Sequence, residues 1–112
     1  MRLKATQDSN IQFVYLEAKT LDAANSAEFK SAMAELIREN PRIILDVSAT
    51  EFLDSSGCGA LLTSFRQAAA GGGDLKLCAP QDTVSSLFDM LKLNQVIDVY
   101  NTKEEAKENF NT

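Results

Sequence analysis

The run Arg42-Ile43-Ile44-Leu45-Asp46-Val47 sets the tightest limit on what this chain can fold into. Its apolar residues stand side by side, with no alternation between apolar and polar positions. A strand with one wet face alternates. A strand apolar at successive positions needs cover on both faces, which is the habit of parallel strands inside an α/β sheet. The flanking sequence supplies cover. Upstream, Phe29, Ala32, Met33, Leu36 and Ile37 recur at helical spacing, and Asn40-Pro41 stops that helix because the residue before proline is pushed out of the helical region. Downstream, Cys58, Leu61, Leu62, Phe65 and Ala69 mark one buried face of a second helix from Gly57 to Ala70, closed by Gly71-Gly72-Gly73.

The remaining segments extend the same alternation. Leu3 to Gln7 and Ile11 to Leu16, either side of Asp8-Ser9-Asn10, read as a hairpin at the sheet's edge. Asp74 to Ala79 is a further strand. After Pro80 comes a helix from Gln81 or Asp82 to Lys92, with Val84, Leu87, Phe88 and Leu91 as its stripe. Val96 to Tyr100 reads as a short last strand. Thr102 and Glu105 form a capping box for a terminal helix with Ala106 and Phe110 on its inner side. The order β-β-α-β-α-β-α-β-α predicts an α/β fold in one domain over residues 1–112: a mixed, mostly parallel sheet of about five strands with four helices.

Composition removes several function classes. The net charge is −5, and the 11 basic residues are scattered, which argues against nucleic acid and against anionic membranes. No apolar run approaches the roughly 20 residues that span a bilayer, and Arg2-Leu3-Lys4 leads into polar residues rather than a secretory signal. A cytosolic chain with Cys58 and Cys78 as reduced thiols is expected. Histidine is absent, which excludes Ser-His-Asp and Cys-His catalysis and removes the commonest metal ligand. No phosphate-binding Gly-x-x-x-x-Gly-Lys-Ser/Thr loop is present. No cofactor, no metal and no catalytic residue is expected, and nothing encodes an obligate dimer, so the free chain is expected to be a monomer.

The stretch Phe52-Leu53-Asp54-Ser55-Ser56-Gly57-Cys58-Gly59 joins a short apolar segment to the second helix. Asp54, Ser55 and Ser56 stand where an N-cap belongs, and one capping residue would suffice. The small residues around them leave hydroxyls accessible. Asp22, with Asn25 three residues on, is the corresponding candidate cap of the first helix. Both loops follow strands, so both are expected at the same end of the sheet, where open α/β sheets gather functional groups. Cys58, in the first turn, is open to a lowered thiol pKa from the helix N-terminus. Its place on the apolar stripe assigns it instead to the core.

With these residues in view, the chain resembles STAS-domain proteins of the anti-sigma factor antagonist type, over essentially its whole length. The resemblance rests on Leu21-Asp22-Ala23-Ala24-Asn25-Ser26-Ala27, on Ile43 to Ser48, on Phe52 to Gly59 with its helix, on Gly72-Gly73, and on the helix around Leu87-Phe88. It implies a STAS fold and partner switching. By that resemblance, Ser55 is phosphorylated by a partner that is both serine kinase and anti-sigma factor. The unphosphorylated chain binds that kinase and releases a sigma factor, phosphorylation ends the complex, and a serine phosphatase resets it. Asp22, Asn25, Asp54, Ser55, Ser56, Gly57 and Cys58 fall on the implied partner-binding surface, with Ser56 assigned to capping. The chain is then a kinase substrate rather than an enzyme. Two departures bear on partner fit: Cys58 stands where an aliphatic residue is common, and Ala18-Lys19 where glycine often precedes the Leu-Asp pair. The alternative within the family is a STAS subunit of a transport or lipid-trafficking complex, acting as a structural interaction module indifferent to charge at Ser55.

Overall fold

The computed structural model describes residues 2–110. Strands β1 (Arg2–Asp8) and β2 (Ile11–Glu17) form the expected hairpin, closed by Ser9 and Asn10, both with positive φ (56° and 67°). Positive φ at both turn residues is the type I′ signature, whose twist matches that of the flanking strands. β4 (Arg42–Asp46), β6 (Asp74–Cys78) and β7 (Val99–Tyr100) complete a sheet ordered β1-β2-β4-β6-β7. Only the β1–β2 pairing is antiparallel; β2–β4, β4–β6 and β6–β7 are parallel. β4 therefore lies at the centre, with Ile43, Ile44 and Leu45 all buried, as its continuous apolar run requires.

Adjacent residues of the strands feed two cores. On one face Val14, Leu16, Ile43, Leu45, Leu75 and Leu77 meet the helices α1 (Ser26–Glu39), α2 (Ser55–Ala70) and α3 (Asp82–Met90). On the other face Ile11, Phe13, Ile44 and Cys78 meet Ala106 and Phe110 at the short α4 (Lys103–Glu108). The capping box at α4 is present: Thr102 Oγ1 accepts from the Glu105 amide at 3.1 Å. Phe110 lies under two cations, the Arg42 guanidinium at 4.9 Å and the Lys76 ammonium at 5.6 Å from the ring centre. Lys76 is buried but held between Asp98 (2.7 Å) and Asp74 (3.3 Å). Burial alone would depress its pKa; the two carboxylates outweigh burial and raise it.

Several boundaries differ from the sequence-based reading. α2 is turned by one residue: Gly57, Cys58, Ala60, Leu61, Ser64 and Ala68 are buried, Leu62 and Phe65 are half-buried, and Ala69 is exposed. α2 packs on both α1 and β6, so small residues face the closest approach. α3 ends at Met90, and Lys92 adopts φ 59°, which turns Leu93 inward and leaves Leu91 at the surface. A 3-10 turn (Leu93–Gln95) follows, and the expected last strand from Val96 to Tyr100 shrinks to Val99–Tyr100, with Val96 half exposed. α1 starts at Ser26, four residues after Asp22. The end of α2 is a Schellman motif. The Gly73 amide donates to Ala68 O, the Gly72 amide donates to Ala69 O, and Gly72 carries φ 86°.

Candidate functional site

Two short strands absent from the sequence reading build the site. β3 (Thr20–Leu21) and β5 (Phe52–Leu53) pair in parallel, Thr20 with Phe52 and Leu21 with Leu53, as a separate two-stranded ladder. Each is too short to show a period. The Lys19 carbonyl receives the Glu51 amide at 2.7 Å, and Thr50 Oγ1 donates to Ala18 O at 2.8 Å, so the approach to β5 is tied to β3 as well. This ladder delivers the Asp22 and Asp54 loops to the same place.

Asp54 is the hinge of that meeting. It is the N-cap of α2, and its two carboxylate oxygens have separate tasks. Oδ1 accepts from the Gly57 amide at 2.9 Å, and Oδ2 accepts from the Ala23 amide at 3.2 Å. The Asp54 amide in turn donates to Leu21 O at 3.3 Å. Gly57 seats the helix against the other loop: a Cβ there would fall on the Leu21 carbonyl oxygen. Gly59, in contrast, faces open space.

The start of α1 is organised locally. Asn25 Oδ1 accepts from the Asp22 amide at 2.9 Å, and its Nδ2 donates to Thr20 O at 2.8 Å. Asp22 Oδ1 accepts from the Ala24 amide at 2.9 Å. The N-cap position belongs to Asn25, whose side chain makes no helix-capping bond. Asp22 therefore turns the loop rather than capping the helix. At α2, capping belongs to Asp54 and not to Ser56.

With Asp54 occupied by two backbone amides, Ser55 and Ser56 remain exposed. The Ser55 hydroxyl makes no hydrogen bond among the described residues. Gly57 and Cys58 turn inward and shape the site from beneath, while Asp22, Asn25 and Asp54 are half-buried at its rim. Burial, then the Asp54 carboxylate, pushes the Cys58 thiol up to about 11. The helix N-terminus does not win there, because desolvation of a thiolate outweighs it. The residue passed over in the sequence is Phe52, 49% exposed beside the serines. In β5 it takes the face opposite buried Leu53, an orientation that two residues of sequence do not reveal.

A model of the STAS domain matches residues 2–106. The chain belongs to the STAS domain family. A Paenibacillus polymyxa protein named anti-sigma F factor antagonist is 30% identical over 88 residues, spanning 77% of this chain and 75% of that protein. SpoIIAA, a Bacillus cell fate determinant solved in its phosphorylated form, superposes on this STAS domain with a TM-score of 0.67 at 23% identity, over 96% of this chain and 97% of that one. The fold also occurs inside a larger protein. The murine anion transporter Slc26a9 aligns with a TM-score of 0.79 at 18% identity, covering 92% of this chain and 18% of its own. Among the described residues of this STAS domain, no helix is long and apolar enough to cross a membrane, and no cluster of His, Cys, Asp or Glu suits a metal ion.

Proposed function

We propose that this STAS domain is an anti-sigma factor antagonist switched by phosphorylation of Ser55. The observation that carries the reading is the division of labour at the start of α2. Asp54 satisfies the helix and the neighbouring loop, and Ser55 stands exposed with its hydroxyl unengaged. The name of the Paenibacillus polymyxa relative and the phosphorylated state of the SpoIIAA structure support the same reading.

In this reading the unphosphorylated loops dock on an anti-sigma factor that is also a serine kinase, and a sigma factor is released. Transfer of a phosphoryl group to Ser55 Oγ adds roughly −1.5 to −2 charges at neutral pH. The first turn of a helix accommodates that anion, so the fold need not open. The sequence around the serine supplies no counter-charge of its own. Between Arg42 and Arg66 the chain has no basic residue, and Asp54 adjoins the serine. Burying the new charge against a partner surface shaped for a neutral hydroxyl costs several kcal/mol, and each 1.4 kcal/mol is about tenfold in affinity. A serine phosphatase restores the neutral surface.

The transporter fold neighbour favours a second reading, in which the domain is a fixed interaction module of a transport assembly. Paired affinity capture from native extract separates the two. With the wild-type chain and Ser55→Asp as baits, the switch predicts that wild type retains an ATP-binding serine kinase. Ser55→Asp loses it by about a hundredfold, equivalent to about 2.8 kcal/mol. Recovery of the same transport assembly on both baits would sink the switch and favour the fixed module.

A further inference from the structure

The five-stranded sheet has unequal edges. β7 is two residues long, whereas β1 runs seven residues without a bulge or proline. Among the described residues β1 is left open: every residue from Lys4 to Asp8 is exposed, as is Arg2, and only Leu3 is partly covered. Open strands of this length present unpaired amides and carbonyls to any second strand. Which groups point outward follows from the turn. The two-residue turn places Asp8 opposite Ile11 as the closing hydrogen-bonded pair, and paired positions alternate from there. The even-numbered residues of β1 therefore bond β2, and the backbone groups of Leu3, Ala5 and Gln7 face outward.

We propose that β1 is a self-pairing edge, on which two copies of this chain join antiparallel about a two-fold axis at Ala5. That register sets Ala5 opposite its own copy and Leu3 opposite Gln7, using the outward backbone groups. It also sets Arg2 of each copy opposite Asp8 of the other, a charge match made twice by the symmetry. Lys4 falls opposite Thr6, so no like charges stand directly across. The monomer already gives Arg2 and Asp8 contacts, with Glu17 at 3.7 Å and Lys107 at 3.3 Å. Their side chains are nonetheless 77% and 59% exposed, which leaves both free to reach across the axis. Because the opposite edge is only two residues long, the assembly stops at two copies and gives one ten-stranded sheet rather than a fibre. The site around Ser55 is built from β3, β5 and the starts of α1 and α2, so this edge is separate from it. The expectation of a monomer then holds only at dilute concentration.

Sedimentation velocity on the full chain, from micromolar to millimolar concentration, tests the pairing. The wild type passes from monomer to dimer within that range. Ala5→Glu sets two carboxylates face to face on the axis and raises the midpoint concentration at least about tenfold. Asp8→Arg, which opposes Arg2 of the other copy, does the same. The double swap Arg2→Asp/Asp8→Arg recovers the wild-type midpoint to within about threefold, because the pairs are restored with reversed sign. Circular dichroism checks that each variant is folded, and the exposure of Ala5 keeps that variant informative if the charge reversals disturb the hairpin. A wild type that stays monomeric throughout, a midpoint indifferent to Ala5→Glu, or a double swap as weak as the single reversal overturns the proposal.

Discussion

The starts of α1 and α2 use the same kind of residues to different ends. At α1, Asp22 and Asn25 bond only within their own loop, to Ala24, Asp22 and Thr20, and the helix goes without a side-chain cap. At α2, Asp54 caps its helix and also holds the Ala23 amide, and Gly57 packs under the Leu21 carbonyl. One aspartate shapes a loop; the other fastens two distant segments together. The difference teaches that the serine is displayed by a neighbour that has already been committed elsewhere. A helix start whose own serine served as cap would have no free hydroxyl to modify.

Substitutions sharpen that comparison. The largest effect is expected at Gly57→Ala, where the new methyl meets backbone rather than a yielding side chain. A loss of about 3 kcal/mol in urea denaturation is expected. Gly59→Ala, two residues on in open space, is expected to gain about 0.5 to 1 kcal/mol from helix propensity. Equal effects at the two glycines would show that the Leu21 contact does not seat the helix.

The next effect separates the aspartate that fastens from the asparagine that folds its own loop. Asp54→Ala removes a helix cap and the bond to Ala23, and about 2 kcal/mol is expected. Asn25→Ala removes two local bonds without a capping role, and about 1 kcal/mol is expected. A reversed order in chemical denaturation would break the contrast.

The smallest effect is in the pH dependence. The Cys58 thiol is raised from 9.0 to about 11 in the folded chain. From pH 9 upward the unfolded chain loses this proton while the folded chain keeps it, so stability falls as pH rises through 9 to 11. Cys78, pushed up to about 12 chiefly by burial, adds to the same slope in both proteins being compared. Cys58→Ala is therefore expected to show a shallower loss of stability over pH 9 to 11 than wild type. Parallel slopes would mean that Cys58 is not held neutral under the start of α2.

The elements that could be read from the sequence were those long enough to carry a period or a strong stop. The central strand Ile43–Leu45, the Phe29/Met33/Ile37 stripe, the Pro41 stop and the Thr102–Glu105 capping box all stand where their chemistry puts them. The errors fall where local signals were short or degenerate. β3 and β5 have two residues each, and a two-residue strand has no alternation to detect. Leu91 fits a helical stripe as well as Phe88 does, and only the left-handed turn at Lys92 decides that Leu93 goes inward in its place. On α2, alanine, glycine and serine are as compatible with a buried face as with an exposed one. Hydropathy alone then chose Ala69 over Ala68 and overlooked Ser64.

The sequence by itself determined the layered α/β architecture, because apolar periodicity and backbone stops act over a few residues and need no partner to be recognised. It also determined the presence of three candidate caps at one helix start. Only the tertiary structure decided which of them is the cap and which is left free. That choice depends on the Ala23 amide and the Leu21 carbonyl, more than thirty residues upstream. A hydrogen bond of that span needs the intervening chain closed, as it is across the β3–β5 ladder, and no local preference encodes it.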